Sequence, residues 1–224
     1  MQVDAVVVAA GSSTRFGEND KLLTLLGGKP VLGWSIEVLS ACPSIGRVVV
    51  VLRDAADPAF RKAVHCFGGA DRVAIVAGGV RRRDSVEAGL RACSTRYVAI
   101  QDGARPLVTG DIIERVVAAA EGKPGAVAAI PVTDTIKEVR GTTIDGHPER
   151  SKLWAAQTPQ VVLRQAWLDA AAASDGDETD DAAMLARLGL ECEVAMGSAS
   201  NIKITLPEDI EIAERLLALR GAGT

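Results

Sequence analysis

The feature that most constrains the fold of this chain is the regular alternation of short aliphatic runs with segments of helical period along its first half. Val3–Ala9, Arg47–Leu52, Val73–Val76, Tyr97–Gln101 and Gly125–Val132 read as strands. Between them Val31–Ser40, Asp57–Phe67, Asp84–Ala92 and Asp111–Glu121 read as helices. A β-then-α order repeated in this way requires right-handed crossovers and builds a mostly parallel sheet with helices on both faces, an α/β fold. The composition agrees: 48% of residues are hydrophobic but only 3% aromatic, so Val, Ala, Leu and Ile must fill a core on both sides of the strands. In such sheets ligands sit beyond the carboxyl ends of the strands. The site is therefore expected around Gly11, Gly78, Asp102 and the segment after Val132.

The alternation breaks between Thr133 and Pro159. Thr135–Arg140 and Thr143–Arg150, with the turn dipeptide Asp145-Gly146, read as a β-arm spanning about residues 133–158 and projecting from the sheet. An isolated hairpin is marginal in water, so the arm is expected to pack on another subunit. Helices at Leu163–Ala173 and Asp180–Leu188, a strand at Cys192–Met196 and a helix at Glu208–Leu219 complete a single domain over 1–224. Four scattered cysteines, Cys42, Cys66, Cys93 and Cys192, form no C-x-x-C pair and read as reduced core thiols in a cytoplasmic protein. The apolar run Ala5–Ala10 is too short for a signal peptide, and no segment approaches the roughly 20 apolar residues of a membrane span. A net charge of −4 argues against nucleic acid as a partner, so an anionic ligand must be held by a local basic cluster.

Six segments carry candidate chemistry. Ala9-Ala10-Gly11-Ser12-Ser13-Thr14-Arg15-Phe16-Gly17, followed by Lys21, leaves the first strand as a run of small residues whose amides can surround a polyphosphate, with Arg15 and Lys21 supplying charge. The bland alternative is a flexible loop with two solvated cations. The run is neither a G-x-G-x-x-G fingerprint nor a P-loop. Gly78-Gly79-Val80-Arg81-Arg82-Arg83-Asp84-Ser85 allows close approach of a base or ribose; otherwise it is a helix entry with at least two of its arginines solvated. In Gln101-Asp102-Gly103-Ala104-Arg105-Pro106, Asp102 suits a metal chelated by triphosphate, and a buried Asp102–Arg105 pair is an equal reading. Asp134-Thr135-Ile136-Lys137 with Arg150 lies on the arm. Ala156-Gln157-Thr158-Pro159-Gln160 follows, and Asn201-Ile202-Lys203-Ile204-Thr205 reads as a strand ahead of a helix start at Pro207-Glu208.

In order and approximate spacing these segments resemble those of the 2-C-methyl-D-erythritol 4-phosphate cytidylyltransferases of the non-mevalonate isoprenoid pathway, from Val6 to about Leu217. The resemblance implies a Rossmann-like domain whose β-arm clasps a homodimer partner. It also implies CTP and a sugar-alcohol phosphate as substrates, Mg²⁺ or another divalent cation as cofactor, and pyrophosphate as product. Carried over residue by residue, Ala10, Gly11 and Ser12 would cradle the CTP phosphates and Arg15, Lys21 and Lys203 would act in catalysis. Gly79 and Ser85 would contact cytosine and ribose. Asp102, Arg105, Thr135, Arg150 and Thr158 would serve the acceptor, Arg150 from the other subunit, with Asp102 also facing the metal. The chain departs from the family at Asp20, where proline is usual, at Gln101-Asp102-Gly103 for His-Asp-Ala, and at Val80, a frequent acidic position. The competing readings are a ribitol-5-phosphate cytidylyltransferase and a non-catalytic nucleotide-binding module.

Overall fold

A computed structural model of the chain describes residues 1–11, 16, 20–69, 72–173, 176 and 178–221. Strand β1 (Val3–Ala9) leads through a short ribbon, β2 (Leu25–Leu26) and β3 (Lys29–Pro30), into helix α1 (Val31–Ala41). The alternation then runs through β4 (Ile45–Leu52), α2 (Pro58–Gly68), β5 (Val73–Ala77), α3 (Arg82–Ala92), β6 (Tyr97–Asp102), α4 (Gly110–Ala120) and β7 (Gly125–Pro131). After the arm, β8 (Glu138–Arg140) and β9 (Thr143–Gly146), come β10 (Trp154–Leu163), α5 (Arg164–Ala172), α6 (Asp181–Ala186), β11 (Glu193–Met196) and α7 (Glu208–Gly221). The helix starts have local causes. Asp57 accepts hydrogen bonds from the Ala59 and Phe60 amides with Pro58 just inside the first turn of α2, and Thr109 and Asp180 cap α4 and α6 in the same way. Each such cap is worth about 1 kcal/mol.

Seven strands form one sheet in the order β11-β7-β10-β6-β1-β4-β5. Successive side chains point to opposite faces, and both faces are covered. Val3, Ala5, Val7 and Ala9 of β1 join Ile45, Val48, Val50 and Leu52 of β4 in a core under α1, α2 and α4. Val6 joins Val49, Val51, Val98 and Ile100 in a second core under α3, α5 and α6, closed by the fully buried Trp167. Because β1 has β4 on one side and β6 on the other, both parallel, the strand order reverses at β1. That reversal opens a crevice at the carboxyl ends of β1 and β6. Among the described residues no helix is long and apolar enough to cross a membrane.

The sheet is mostly parallel, as expected, with one strand the sequence did not reveal. β10 pairs antiparallel with both β6 and β7, where the arm was expected to extend to about residue 158. Its register breaks between Ala156 and Gln160, across the cis Thr158–Pro159 bond. The arm itself is shorter and turns elsewhere: Arg140 faces Thr143 across Gly141-Thr142, with Gly141 at φ 62°, a left-handed conformation that favours glycine. Asp145-Gly146 instead lies within β9, where Asp145 pairs with Arg140 at 2.7 Å. The segment Asn201–Thr205 is irregular rather than a strand, tied to the loop after β6 by the Ile204 amide on the Ala104 carbonyl at 2.8 Å. All four cysteines are free, but only Cys42 and Cys93 are buried; Cys192 is half-buried and Cys66 is exposed on the outer face of α2.

Candidate active site

The crevice holds a cavity of about 680 Å³ whose floor is the ends of β1 and β5 and the start of α3. Ala10 and Gly11 continue β1 into it, Gly78 and Gly79 leave β5, and Ser85 stands in the first turns of α3. The two glycines have a packing cause as well as a ligand-facing one. A Cβ on Gly78 would fall 2.7 Å from the Ala10 Cβ and 2.8 Å from the Ser85 Oγ, and one on Gly79 would collide with Asp84. Only glycine lets the β5 loop lie against both β1 and α3. Ser85 fixes that loop: its Oγ accepts the Gly79 amide at 3.2 Å and lies 3.2 Å from the Arg81 carbonyl. Lys21 reaches the cavity from the segment after the first loop, and Lys203 and Thr205 reach it from the far end of the chain.

Asp102, the last residue of β6, is the electrostatic centre. Its carboxylate Oδ2 lies 2.9 Å from Lys203 Nζ and 3.4 Å from Arg105 Nε. Burial alone would raise its carboxyl; Lys203, Arg82 and Arg105 outweigh that and hold it below the ordinary carboxylate range. Its amide donates to Thr158 Oγ1 at 3.0 Å, which sets Thr158 beside it. A second cavity of about 250 Å³ adjoins the first and shares Arg82, Asp102 and Lys203 with it, adding Arg105, Thr158 and Gln160. Its wall is held by Asn201, which is buried completely. The Asn201 side-chain amide donates to the Thr158 carbonyl at 2.9 Å and to Gln157 Oε1 at 3.3 Å, while its backbone carbonyl accepts Arg105 at 2.7 Å.

Both cations on Asp102 approach the same oxygen, which leaves the other as an acceptor. Among the described residues no group of three or more His, Cys, Asp or Glu can hold a metal by itself. Among the described residues Asp102 is the one carboxylate lining the larger cavity and Asp180 joins it in the smaller one, a donor set that fits a Mg²⁺ ion also chelated by a polyphosphate rather than a closed cage.

Of the residues singled out in the sequence, Ala10, Gly11, Lys21, Gly79, Ser85, Asp102 and Lys203 line the larger cavity, and Arg105 and Thr158 line the smaller one. Ser12 and Arg15 lie outside the described residues. Thr135 and Arg150 line neither cavity: both are exposed on the arm side, where Arg150 donates to the Thr133 carbonyl at 2.9 Å. The arginine run is not a solvated face. Arg81 pairs with Asp84 at 2.8 Å, and Arg83 is buried with its guanidinium on the Gly176 and Ala171 carbonyls. Arg82 binds Asp181 through both terminal nitrogens, at 2.7 and 3.2 Å. Burial works against the charge on Arg82, and the Asp181 carboxylate more than offsets it, so the guanidinium is raised further above its ordinary value. Sequence reading gave no site role to Arg82, Asp181, Gln160 or Asn201. The only signal for the first two was a long-range pair of opposite charges, which no local spacing displays.

The family model for 2-C-methyl-D-erythritol 4-phosphate cytidylyltransferase matches residues 3–219. A relative of that description from Geotalea uraniireducens (strain Rf4) is 39% identical over 227 residues, covering 97% of this chain and 97% of its own. Another from Prochlorococcus marinus (strain MIT 9313) is 40% identical over 225 residues, covering 96% and 98%. The crystal structure of 2-C-methyl-D-erythritol 4-phosphate cytidylyltransferase from Thermus thermophilus matches with a TM-score of 0.79 at 29% identity, over 97% of this chain and 100% of that one.

Proposed function

The chain belongs to the 2-C-methyl-D-erythritol 4-phosphate cytidylyltransferase family, and from that premise we infer how its residues divide the work. The enzyme transfers a cytidylyl group from CTP to 2-C-methyl-D-erythritol 4-phosphate, giving 4-diphosphocytidyl-2-C-methyl-D-erythritol and pyrophosphate, in isoprenoid precursor biosynthesis. The observation that carries the assignment of roles is the pair of adjoining cavities with Arg82, Asp102 and Lys203 on the wall between them. CTP takes the larger cavity, with cytosine and ribose over Gly79 and Ser85 and the phosphates toward Ala10, Gly11 and Lys21. The acceptor phosphate takes the smaller one, between Arg105 and Thr158.

An oxygen of the acceptor phosphate attacks the α-phosphorus in line, its new P–O bond forming as the bond to the pyrophosphate oxygen breaks. A phosphate monoester is already ionised near neutral pH, so no general base is needed. The histidines agree with this: His65 is exposed on α2, and His147 sits on the arm against Lys137 Nζ at 2.8 Å. Catalysis rests on positioning and on charge placed where charge develops. Lys203 serves the α-phosphate, and Lys21 serves the leaving pyrophosphate; Arg15 and Ser12 join them on the strength of the resemblance. Asp102 would hold Mg²⁺, which would supply positive charge to neutralise the phosphates.

The arm completes the site in a homodimer. Its Ile136, Val139 and Ile144 side chains are exposed, and so is Trp154 beside it. A second copy covering them would bring Thr135 and Arg150 to the neighbouring acceptor cavity. The four free thiols suit a reducing cytoplasm.

The test is pyrophosphate release by Lys21→Ala and Lys203→Ala with CTP and methylerythritol phosphate. Losing one well-placed donor to developing charge costs roughly 100- to 1,000-fold in rate, and losses of that order are expected in kcat, with acceptor KM less affected. Near wild-type turnover in both variants would remove these roles.

A further inference from the structure

Arg82 opens α3 at the junction of the two cavities, and its environment is built to hold a cation in one place. Its partner Asp181 is only 1% exposed. Asp181 also accepts the Trp167 indole N–H at 3.2 Å, and its own amide donates to Gln160 Oε1 at 3.0 Å. Gln160 takes the Ala182 amide as well, at 3.1 Å, and its Nε2 donates to Asp180 at 3.2 Å. A planar guanidinium gripped by two parallel bonds keeps one orientation. About a third of the Arg82 side chain, 33%, remains exposed at the cavity wall.

Such a pair is a poor device for stability alone, since burying a carboxylate costs about what the ion pair returns, and apolar residues of similar volume do as well. It is a good device for placing charge. In the reaction proposed above, two anions must come within bonding distance at this junction, and the carboxylate of Asp102 stands there too. Lys203 is a point charge on a flexible stem, whereas Arg82 is fixed. We propose that Arg82 is the cation common to both substrates, screening the acceptor phosphate from the α-phosphate as they meet, and that Asp181 is the positioning residue that holds it. The proposal rests on the assignment of CTP to the larger cavity and the acceptor to the smaller.

The test uses the full-length enzyme and the variants Arg82→Gln, Arg82→Lys, Asp181→Asn and the double variant Arg82→Gln/Asp181→Asn. The readouts are steady-state pyrophosphate release, calorimetric CTP binding and thermal midpoint. Arg82→Gln is expected to lose about 100-fold in kcat while CTP affinity changes less than about fivefold, because screening matters only when both anions are present. Arg82→Lys recovers part of that loss, since charge returns without the fork. Asp181→Asn loses about tenfold, and the double variant is no worse than Arg82→Gln, as expected of two residues acting as a unit. The proposal is overturned if Arg82→Gln and Asp181→Asn lower the thermal midpoint but keep wild-type kcat below it. It is equally overturned if the two losses multiply in the double variant. Wild-type turnover is the control: if the wild type releases no pyrophosphate from CTP with methylerythritol phosphate, the functional reading fails first, whereas an active wild type with an active Arg82→Gln sinks this inference alone.

Discussion

Asn201→Ala probes how the far end of the chain is locked into the site. The substitution removes the donors to the Thr158 carbonyl and to Gln157 Oε1. Gln157 Oε1 keeps the Ser198 amide at 3.2 Å, so only the Thr158 carbonyl loses a principal donor. Leaving a buried acceptor unmet costs roughly 1–3 kcal/mol. Against this, the Asn201 Oδ1 is itself buried without a partner among the described residues, so alanine relieves about 1 kcal/mol of that kind. The balance is a destabilisation of about 1 kcal/mol, or a fall in midpoint of about 2–4 °C for a chain of 224 residues. Because Lys203 lies two residues on and Arg105 binds the Asn201 carbonyl, kcat should fall by about tenfold at temperatures where the variant is folded. Differential scanning calorimetry and pyrophosphate release measure the two effects. A midpoint within 1 °C of wild type together with unchanged kcat would refute the idea that Asn201 holds the site together.

Two further outcomes follow from the surface and the thiols. Deleting residues 136–149 and closing the gap with glycine is expected to turn a dimer into a monomer by light scattering and to raise acceptor KM more than CTP KM; a dimer of unchanged acceptor affinity would remove the arm from both roles. Burial and the Glu114 contact push Cys42 up to about 12, burial pushes Cys93 up to about 12, and burial raises Cys192 to about 11. A thiol reagent at pH 8 should therefore modify one residue rapidly in the native protein, Cys66, and the other three only on unfolding. Rapid modification of Cys93 would contradict the buried core under α3.

The parts of the fold that were legible in the sequence are those set by local pattern. Valine-rich runs between helical periods locate β1, β4, β5, β6 and β7, and the rule that ligands gather at strand ends locates Gly11, Gly78 and Asp102. What escaped was set by long-range pairing. β10 reads as the return of the arm because its alanines and Pro159 carry little strand propensity; its identity comes from the gap between β6 and β7 that it fills. Asp145-Gly146 is a strong turn dipeptide, yet Arg140 pairs with Asp145 across the strands and the chain turns at Gly141 instead. The arginine run looked solvated because its partners, Asp181 and the Ala171 carbonyl, lie almost a hundred residues away. Cys66 looked like a core thiol because composition says nothing about which face of α2 it occupies.

The most direct test of the site is a comparison of nucleotides. Pyrophosphate release should be followed with CTP, UTP, ATP and GTP, each with methylerythritol phosphate and Mg²⁺, and then with CTP and ribitol 5-phosphate. The account predicts turnover with CTP and methylerythritol phosphate at least about 100-fold above every other pairing, since a site built to hydrogen-bond its ligand rejects analogues that leave those groups unpaired by factors of this size or more. Equal turnover with another nucleotide, or faster turnover with ribitol 5-phosphate, would contradict it.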